Sequence, residues 1–272
     1  MNKDELKYML YLSSLIYECD NIVQRGTKIG SLFLNKSRKK SDMINMINSM
    51  NPEGFVYECG TNSRDIQYGI VLNHKDKKIV VVFRGSESFL DWYHDFLIFK
   101  IRLHDKVKVH GGIYKQLTED GVLTNIENEL LILSKQYPSY HIFVTGHSLG
   151  AGLSCMFSYL YARSNPTSYI TCVSFASPRI GNEAFKIAYE NMTNLKHYRC
   201  YNSKDIVTTV PNYHYYHTGI RIKMKRNKIV AISPKKKLGS IWRLWSIWEH
   251  KRNAYCKRLN KYDLNIEQES ME

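Results

Sequence analysis

Apolar residues recur along the chain in two patterns, the three-to-four-residue spacing of helices and the continuous runs of buried strands. The helical spacing predicts helices over residues 4–17, 114–136, 149–163 and 183–192. Apolar runs predict strands over residues 65–72, 78–83, 142–146, 169–175 and 196–201. Strands that alternate with helices indicate an α/β fold, in which a mostly parallel central sheet is covered by helices on both faces.

Two segments between these elements have a different character. Residues 26–51 are polar and basic, which predicts a loop with a short helix. Residues 87–105 alternate aromatic and charged side chains, a pattern that fits either a mobile amphipathic cover or an ordinary core helix. The sequence leaves both interpretations open.

The most informative motif lies between the strand over residues 142–146 and the following helix. Residues 146–150 read Gly-His-Ser-Leu-Gly, the G-x-S-x-G nucleophile elbow that exposes a serine on a sharp strand-to-helix turn. Gly146 and Gly150 let strand and helix approach without a Cβ clash, which makes Ser148 the candidate nucleophile. The backbone N–H of Leu149, at the positive end of the helix, is a candidate donor to an oxyanion.

Length and cysteine usage narrow the class of protein. A chain of 272 residues with 43% hydrophobic residues predicts one domain, residues 1–272, with a large core. The six cysteines are scattered without C-x-x-C spacing, which indicates reduced thiols rather than a disulfide framework.

The N-terminal sequence has no pattern of a secretory signal, and no apolar run reaches the ~18 residues of a membrane span. We therefore expect an intracellular, cytoplasmic protein that is soluble or peripheral to a membrane.

The net charge of +14 predicts attraction to anionic surfaces. Zinc-finger spacing, RNP-like motifs and a basic recognition helix are all missing from the sequence, so a specific nucleic-acid partner is not expected. An anionic membrane fits better beside an esterase elbow. A basic, solvated face that only aids solubility is the alternative.

Five segments in order resemble the class 3 lipase family, the fungal-lipase-like α/β-hydrolases, over about residues 5–256. The first four read Val80-Val-Val-Phe-Arg-Gly-Ser86, Val109-His-Gly-Gly112, Thr145-Gly-His-Ser-Leu-Gly-Ala-Gly152 and Phe175-Ala-Ser-Pro-Arg-Ile-Gly-Asn182. The fifth, residues 201–211, resembles the segment that carries the acid of the family. The resemblance implies the α/β-hydrolase fold and a Ser-Asp-His triad.

Asp205 is the candidate acid on two grounds. It follows a predicted strand and comes after the nucleophile, as the Ser…Asp…His order of this fold requires, and it lies in the fifth matching segment. A turn aspartate that caps backbone N–H groups is the alternative. The resemblance also implies that Ser86 forms the first half of the oxyanion hole and Leu149 the second.

Three histidines downstream of Asp205 are candidates for the base: His214, His217 and His250. In the resemblance, residues 216–219 match a histidine motif without a catalytic role, and residues 249–255 match the later segment with the catalytic histidine. We therefore predict His250 as the base. A zinc site at His214 and His217 is not expected, because residues three apart on a strand point to opposite faces and the sequence supplies no third ligand.

A basic, tryptophan-rich segment, residues 235–258, departs from the family pattern. Three lysines at 235–237 precede three of the four tryptophans, Trp242, Trp245 and Trp248. Tryptophan and lysine together favour the water–lipid interface, so this segment is a candidate for docking on an anionic membrane. Tryptophans that face the core are an equally good interpretation.

The sequence therefore predicts a serine-dependent carboxylic ester hydrolase of lipids, similar to triacylglycerol lipases, that needs no metal and no cofactor. Two alternatives remain. One is a phospholipase or monoacylglycerol lipase, and the other is a catalytically idle lipid-binding or interaction module. Oligomeric state is not indicated.

Overall fold

The helices are found close to where the apolar spacing predicts them. The computed structural model describes residues 1–18, 27–28, 45, 49, 55–61, 67–86, 99–225, 228–232, 246–262 and 264–265. Within them the α-helices are α1 (Lys3–Leu15), α2 (Gly111–Thr118), α3 (Val122–Gln136), α4 (Leu149–Ser164), α5 (Glu183–Glu190) and α6 (Arg252–Lys261). Short 3₁₀ turns lie at Ile16–Glu18, Glu119–Gly121, Val207–Thr209 and Ile247–His250.

The strands form one large sheet and one hairpin. They are β1 (Thr27–Lys28), β2 (Phe55–Thr61), β3 (Gln67–Asn73), β4 (Lys78–Phe83), β5 (Lys100–His104), β6 (Val107–His110), β7 (His141–His147), β8 (Ile170–Phe175), β9 (Leu195–Asn202), β10 (Ile220–Met224), β11 (Ile229–Ile232) and β12 (Leu264–Asn265). The large sheet has the order β1-β2-β3-β4-β7-β8-β9-β10-β11-β12, and among the described strands β5 pairs with β6 alone. The five central strands of the large sheet, β4, β7, β8, β9 and β10, are all parallel to one another.

The central strands are apolar on both sides because each side faces a core. On β4, Ile79, Val81 and Phe83 face one core cluster, together with α2, α3 and α4. Val80 and Val82 face the second cluster, which α1 and α6 cover. The prediction of a mostly parallel central sheet with helices on both faces is thereby confirmed.

Several elements differ from the sequence prediction. The single helix predicted over residues 114–136 is two helices, because Asp120 (φ 55°) and Gly121 (φ 72°) turn the backbone left-handed between α2 and α3. The C-terminal part of the predicted cover over residues 87–105 is strand β5. The rest of that cover, residues 87–98, lies outside the described residues, as does most of the segment 26–51.

The first helix is less amphipathic than its pattern suggests. Eight consecutive residues of α1, from Tyr8 to Leu15, are buried, because the helix lies between the sheet and α6. A capping box at its start, formed by Asn2 and Glu5, satisfies free N–H groups of the first turn. Among the described residues, none of the helices has both the length and the apolar composition needed to cross a bilayer.

Candidate active site

The elbow places Ser148 at the carboxyl end of β7, one residue before α4 begins. Its backbone has φ 60° and ψ −123°, a conformation that costs free energy for a residue with a Cβ. The glycines around it allow close backbone approach. A Cβ at Gly146 would lie 2.4 Å from the carbonyl of Gly150, and a Cβ at Gly150 would lie 2.3 Å from the Phe83 carbonyl oxygen.

Ser148, His250 and Asp205 form one hydrogen-bonded chain. Ser148 Oγ lies 2.8 Å from His250 Nε2, and His250 Nδ1 lies 3.1 Å from both carboxylate oxygens of Asp205. Ser148 and His250 are 102 positions apart in the sequence, and His250 and Asp205 are 45 apart. All three residues are buried, with exposed fractions of 4% for Ser148, 7% for His250 and 0% for Asp205. A neutral imidazole that donates from Nδ1 to Asp205 presents a lone pair at Nε2 to the serine hydroxyl.

The Asp205 carboxylate has further partners that hold its orientation. Tyr255 donates its hydroxyl to Oδ2 at 2.6 Å, and the Val207 backbone N–H donates to Oδ1 at 2.9 Å. Burial raises the pKa of Tyr255 well above its usual range, and the Asp205 carboxylate raises it further. Tyr255 therefore stays protonated and remains a donor to the acid.

A second histidine, His147, fixes the backbone of His250. His147 Nε2 lies 2.8 Å from the His250 carbonyl oxygen, so the ring donates its N–H there. Burial lowers the pKa of His147 well below its usual range, and charge on His250 and Arg252 lowers it further. His147 is therefore neutral. It occupies the variable position of the elbow motif, so sequence reasoning gave it no role.

Tyr255 was also missed as a site residue. Its position five residues after His250 was visible in the sequence, but a hydrogen bond to Asp205 was not. The segment that carries both residues is fixed to the sheet end by other bonds. Asn202 Nδ2 donates to the Glu249 carbonyl, and Ser246 N donates to the Lys204 carbonyl.

Of the two residues expected to form an oxyanion hole, Leu149 belongs to the elbow, and Ser86 follows Gly85, which lies against the elbow. Leu149 is the first residue of α4, and within the described part of the chain no acceptor takes a hydrogen bond from its N–H. Ser86 is half-buried and follows Gly85, at which a Cβ would lie 2.4 Å from the His147 carbonyl oxygen. The Gly85 backbone therefore packs directly against the elbow, and Ser86 is the next residue in the chain.

The other two histidine candidates, His214 and His217, make no hydrogen bond to Ser148 or Asp205 among the described residues. His214 is exposed, and His217 Nε2 donates to the Thr208 carbonyl at 2.7 Å. Neither residue is on a strand, so the argument from opposite strand faces does not apply to them. Trp242 and Trp245 lie outside the described residues, whereas Trp248, two residues before His250, is 69% exposed.

Known proteins with a similar sequence carry lipase and phospholipase names. The lipase of Rhizomucor miehei is 34% identical over 145 residues, which cover 50% of this chain and 38% of that protein. Phospholipase A1-II 1 of rice, Oryza sativa subsp. indica, is 29% identical over 182 residues, which cover 58% of this chain and 45% of that protein. The chain thus spans less than half the length of these curated relatives.

Solved structures show the same fold. A mutant form of MDLA from Penicillium cyclopium superposes with a TM-score of 0.72 at 22% identity, over 86% of each chain. A triacylglycerol lipase from Penicillium expansum superposes with a TM-score of 0.65 at 20% identity, over 81% of this chain and 79% of that one. This likeness shows the α/β-hydrolase fold.

A model of a protein family, described as Lipase (class 3), matches residues 80–215, which is half of the chain. The match includes most of β4, Ser86, the elbow with Ser148, and Asp205. On this match the chain belongs to the class 3 lipase family.

Proposed function

We propose that this protein is a serine-dependent carboxylic ester hydrolase that acts on lipids. The observation that carries the proposal is the chain of hydrogen bonds from Ser148 Oγ through His250 to Asp205. A buried serine hydroxyl held 2.8 Å from an imidazole that an acid orients is activated for attack on an acyl carbon. The idle-module alternative explains neither this geometry nor the strained backbone of Ser148.

The residues have the following roles in the proposed reaction. His250 Nε2 removes the Ser148 proton as Oγ bonds to the ester carbonyl carbon, and the N–H groups of Ser86 and Leu149 stabilise the resulting oxyanion. His250 then protonates the leaving alcohol, and the acyl group stays on Ser148. A water molecule, deprotonated by His250, attacks the acyl-enzyme and releases the acid. Asp205 stays ionised and stabilises the imidazolium.

The proposal also concerns which class of lipid ester is the substrate. A relative named lipase and a relative named phospholipase A1 both match, so triacylglycerol and phospholipid esters are the two leading substrates. Monoacylglycerol is a third. The net charge of +14 favours an anionic phospholipid surface over a neutral emulsion.

Hydrolysis assays test the reaction and rank the substrates. We expect the wild type to hydrolyse a short-chain ester and at least one of the lipid substrates, and Ser148→Ala to hydrolyse none. Ser164→Ala, at the exposed end of the same helix, is the matched control and should retain activity. A folded wild type without activity on any ester would favour the idle-module alternative.

We also propose peripheral contact with anionic membranes. Trp248 is exposed beside the site, and Lys251 Nζ lies 3.8 Å from the centre of its ring, the pairing of aromatic and cation that suits a lipid interface. Trp248→Ala should weaken sedimentation with anionic liposomes. Tyr169→Ala is the control and should not weaken this sedimentation. Tyr169 is 60% exposed and lies just before the start of β8, whereas the site lies at the carboxyl end of the neighbouring strand β7. Equal loss in both variants, or none in either, would contradict this contact.

The intracellular, single-domain character remains part of the proposal. Cys155, Cys172, Cys200 and Cys256 are free thiols in the described residues, which is typical of a reducing compartment. One sheet connects the elements at both ends of the described chain, which supports one domain over residues 1–272. Cell fractionation and a single calorimetric unfolding transition test the two points.

A further inference from the structure

A second cluster of reactive side chains lies behind the elbow, where the proposed reaction does not use it. Cys155 is on α4, Cys172 on β8 and His197 on β9, and their exposed fractions are 2%, 0% and 4%. Both Sγ atoms and one ring nitrogen lie within 4.8 Å of one another. Cys155 follows Ser148 by seven residues, which is about 10 Å along the helix.

The ring of His197 is held in the orientation of a metal ligand. Nδ1 lies 2.9 Å from Thr218 Oγ1, a bond that places the ring hydrogen at Nδ1 when the hydroxyl accepts it. Nε2 then presents a lone pair to the two thiols. Metal-bound histidines are oriented in this way, by a hydrogen bond from the ring nitrogen that does not bind the metal.

Two polar groups converge on the same nitrogen atom of His197. Ser174 Oγ lies 2.8 Å from Nε2, and Cys155 Sγ lies 3.4 Å from it. One ring nitrogen has a single lone pair or a single hydrogen, so it satisfies only one of these groups well. A tetrahedral zinc ion separates sulfur and nitrogen ligands by about 3.6 Å, close to the observed spacing.

Two buried hydroxyl groups lie beside the Cys172 thiol. The hydroxyls of Ser158 and Tyr189 lie beside this thiol, and in the portion of the chain described no nitrogen or oxygen atom accepts a hydrogen bond from either of them. A thiol accepts hydrogen bonds weakly, whereas a metal-bound thiolate carries negative charge and accepts them well. Bound metal would therefore satisfy two buried donors.

We propose that Cys155, Cys172 and His197 supply three of the ligands of one zinc(II) ion. Each cysteine loses its thiol proton to solvent as its sulfur bonds to the ion, so the two thiolates balance the charge of the dication. Two sulfur ligands and one imidazole favour zinc over calcium or magnesium. The ion would join the elbow helix to two strands and stabilise the fold, without a part in ester hydrolysis.

Zinc content of the intact protein tests this proposal. The wild type is incubated with zinc under reducing conditions and then desalted. We expect inductively coupled plasma mass spectrometry to find about one zinc ion per chain. Cys155→Ala and Cys172→Ala should lose the ion. Cys200→Ala is the matched control, because this cysteine is equally buried on the opposite face of the sheet, and it should keep the ion.

Two measurements on the wild type avoid dependence on variants that fold poorly. A chelator should lower Tm reversibly, and cobalt(II) in place of zinc should give thiolate-to-cobalt charge-transfer absorption. A folded wild type that holds no zinc, or full zinc content in Cys155→Ala, would overturn the proposal. Hydrolysis by the zinc-free wild type that depends on Ser148 would leave the proposed function intact in either case.

Discussion

At the scale of single residues, Asp205 must carry a negative charge although its side chain is shielded from water. Its exposed fraction is 0%, and a buried carboxylate is stable only when its oxygens accept several hydrogen bonds. His250, Tyr255 and the Val207 N–H supply them. The same bonds fix the direction in which Asp205 faces the imidazole.

We predict that Tyr255→Phe lowers kcat roughly tenfold and leaves KM unchanged. The variant removes one donor to a buried charge, worth about 1.5–3 kcal/mol, and so loosens the orientation of His250 in the transition state. Steady-state kinetics on a soluble ester measure the effect.

Tyr11→Phe is the control for this prediction. The Tyr11 hydroxyl donates to Asn260 on the same helix α6, away from the triad, so its loss should not change kcat. Unchanged kcat in Tyr255→Phe would show that the tyrosine has only a packing role.

Some residues of the candidate site could be predicted from the sequence, and others could not. Ser148 and Leu149 follow from a local motif, and Asp205 from its position after a strand. His250 depended on the family resemblance, because three histidines satisfy the chain order equally well. His147 and Tyr255 act through contacts between residues 103 and 50 positions apart, which no local pattern encodes.

At the scale of elements, the elbow depends on backbone contact between β4, β7 and α4. A Cβ at Gly150 would lie 2.3 Å from the Phe83 carbonyl oxygen and 2.9 Å from the Arg84 carbonyl carbon. These are backbone atoms of a central strand and its end, which cannot move aside as a side chain can. Gly150→Ala must therefore displace the start of the helix that carries Ser148.

We predict that Gly150→Ala lowers kcat/KM about 100-fold, the cost of misplacing a catalytic group by about 1 Å, and also lowers Tm. Gly152→Ala is the matched control on the same helix. Its Cβ would meet the tip of the Ile113 side chain at 2.9 Å, which can shift, so its activity should stay near wild type. Equal losses in the two variants would contradict the account of the elbow.

The elements were predicted best where burial makes them apolar throughout. Strands β4, β7, β8 and β9 lie in the middle of the sheet, and the sequence places them within one or two residues. Strands β2 and β11 lie nearer its edges and were missed. The break between α2 and α3 was also missed, because apolar spacing continues across it while only Gly121 marks the turn.

At the scale of the whole molecule, stability should depend on buried neutral histidines. Burial lowers the pKa of His110 to about 4, and lowers those of His147 and His217 well below their usual range. In the unfolded chain these groups bind protons below about pH 6.5, whereas in the folded state they do not. The free energy of unfolding therefore falls as pH falls from 6.5 towards 4.

We predict that His110→Gln reduces this pH dependence. A pKa of about 4 in the folded state implies that protonation of His110 in the unfolded chain lowers the free energy of unfolding by about 1.6 kcal/mol between pH 6.5 and 5. Urea unfolding at both pH values measures the difference for wild type and variant. The exposed His214, changed to Gln, should leave the slope unaltered. An unchanged slope in His110→Gln would contradict the prediction.

The central claim is that His250 and Asp205 activate Ser148. The most direct test is the rate at which a fluorophosphonate modifies the folded protein, followed by intact mass. We predict one adduct on wild type and on His214→Ala, none on Ser148→Ala, and labelling at least about 100-fold slower for His250→Ala. Folded wild type that takes no adduct, or His250→Ala that reacts as fast as wild type, would contradict the claim.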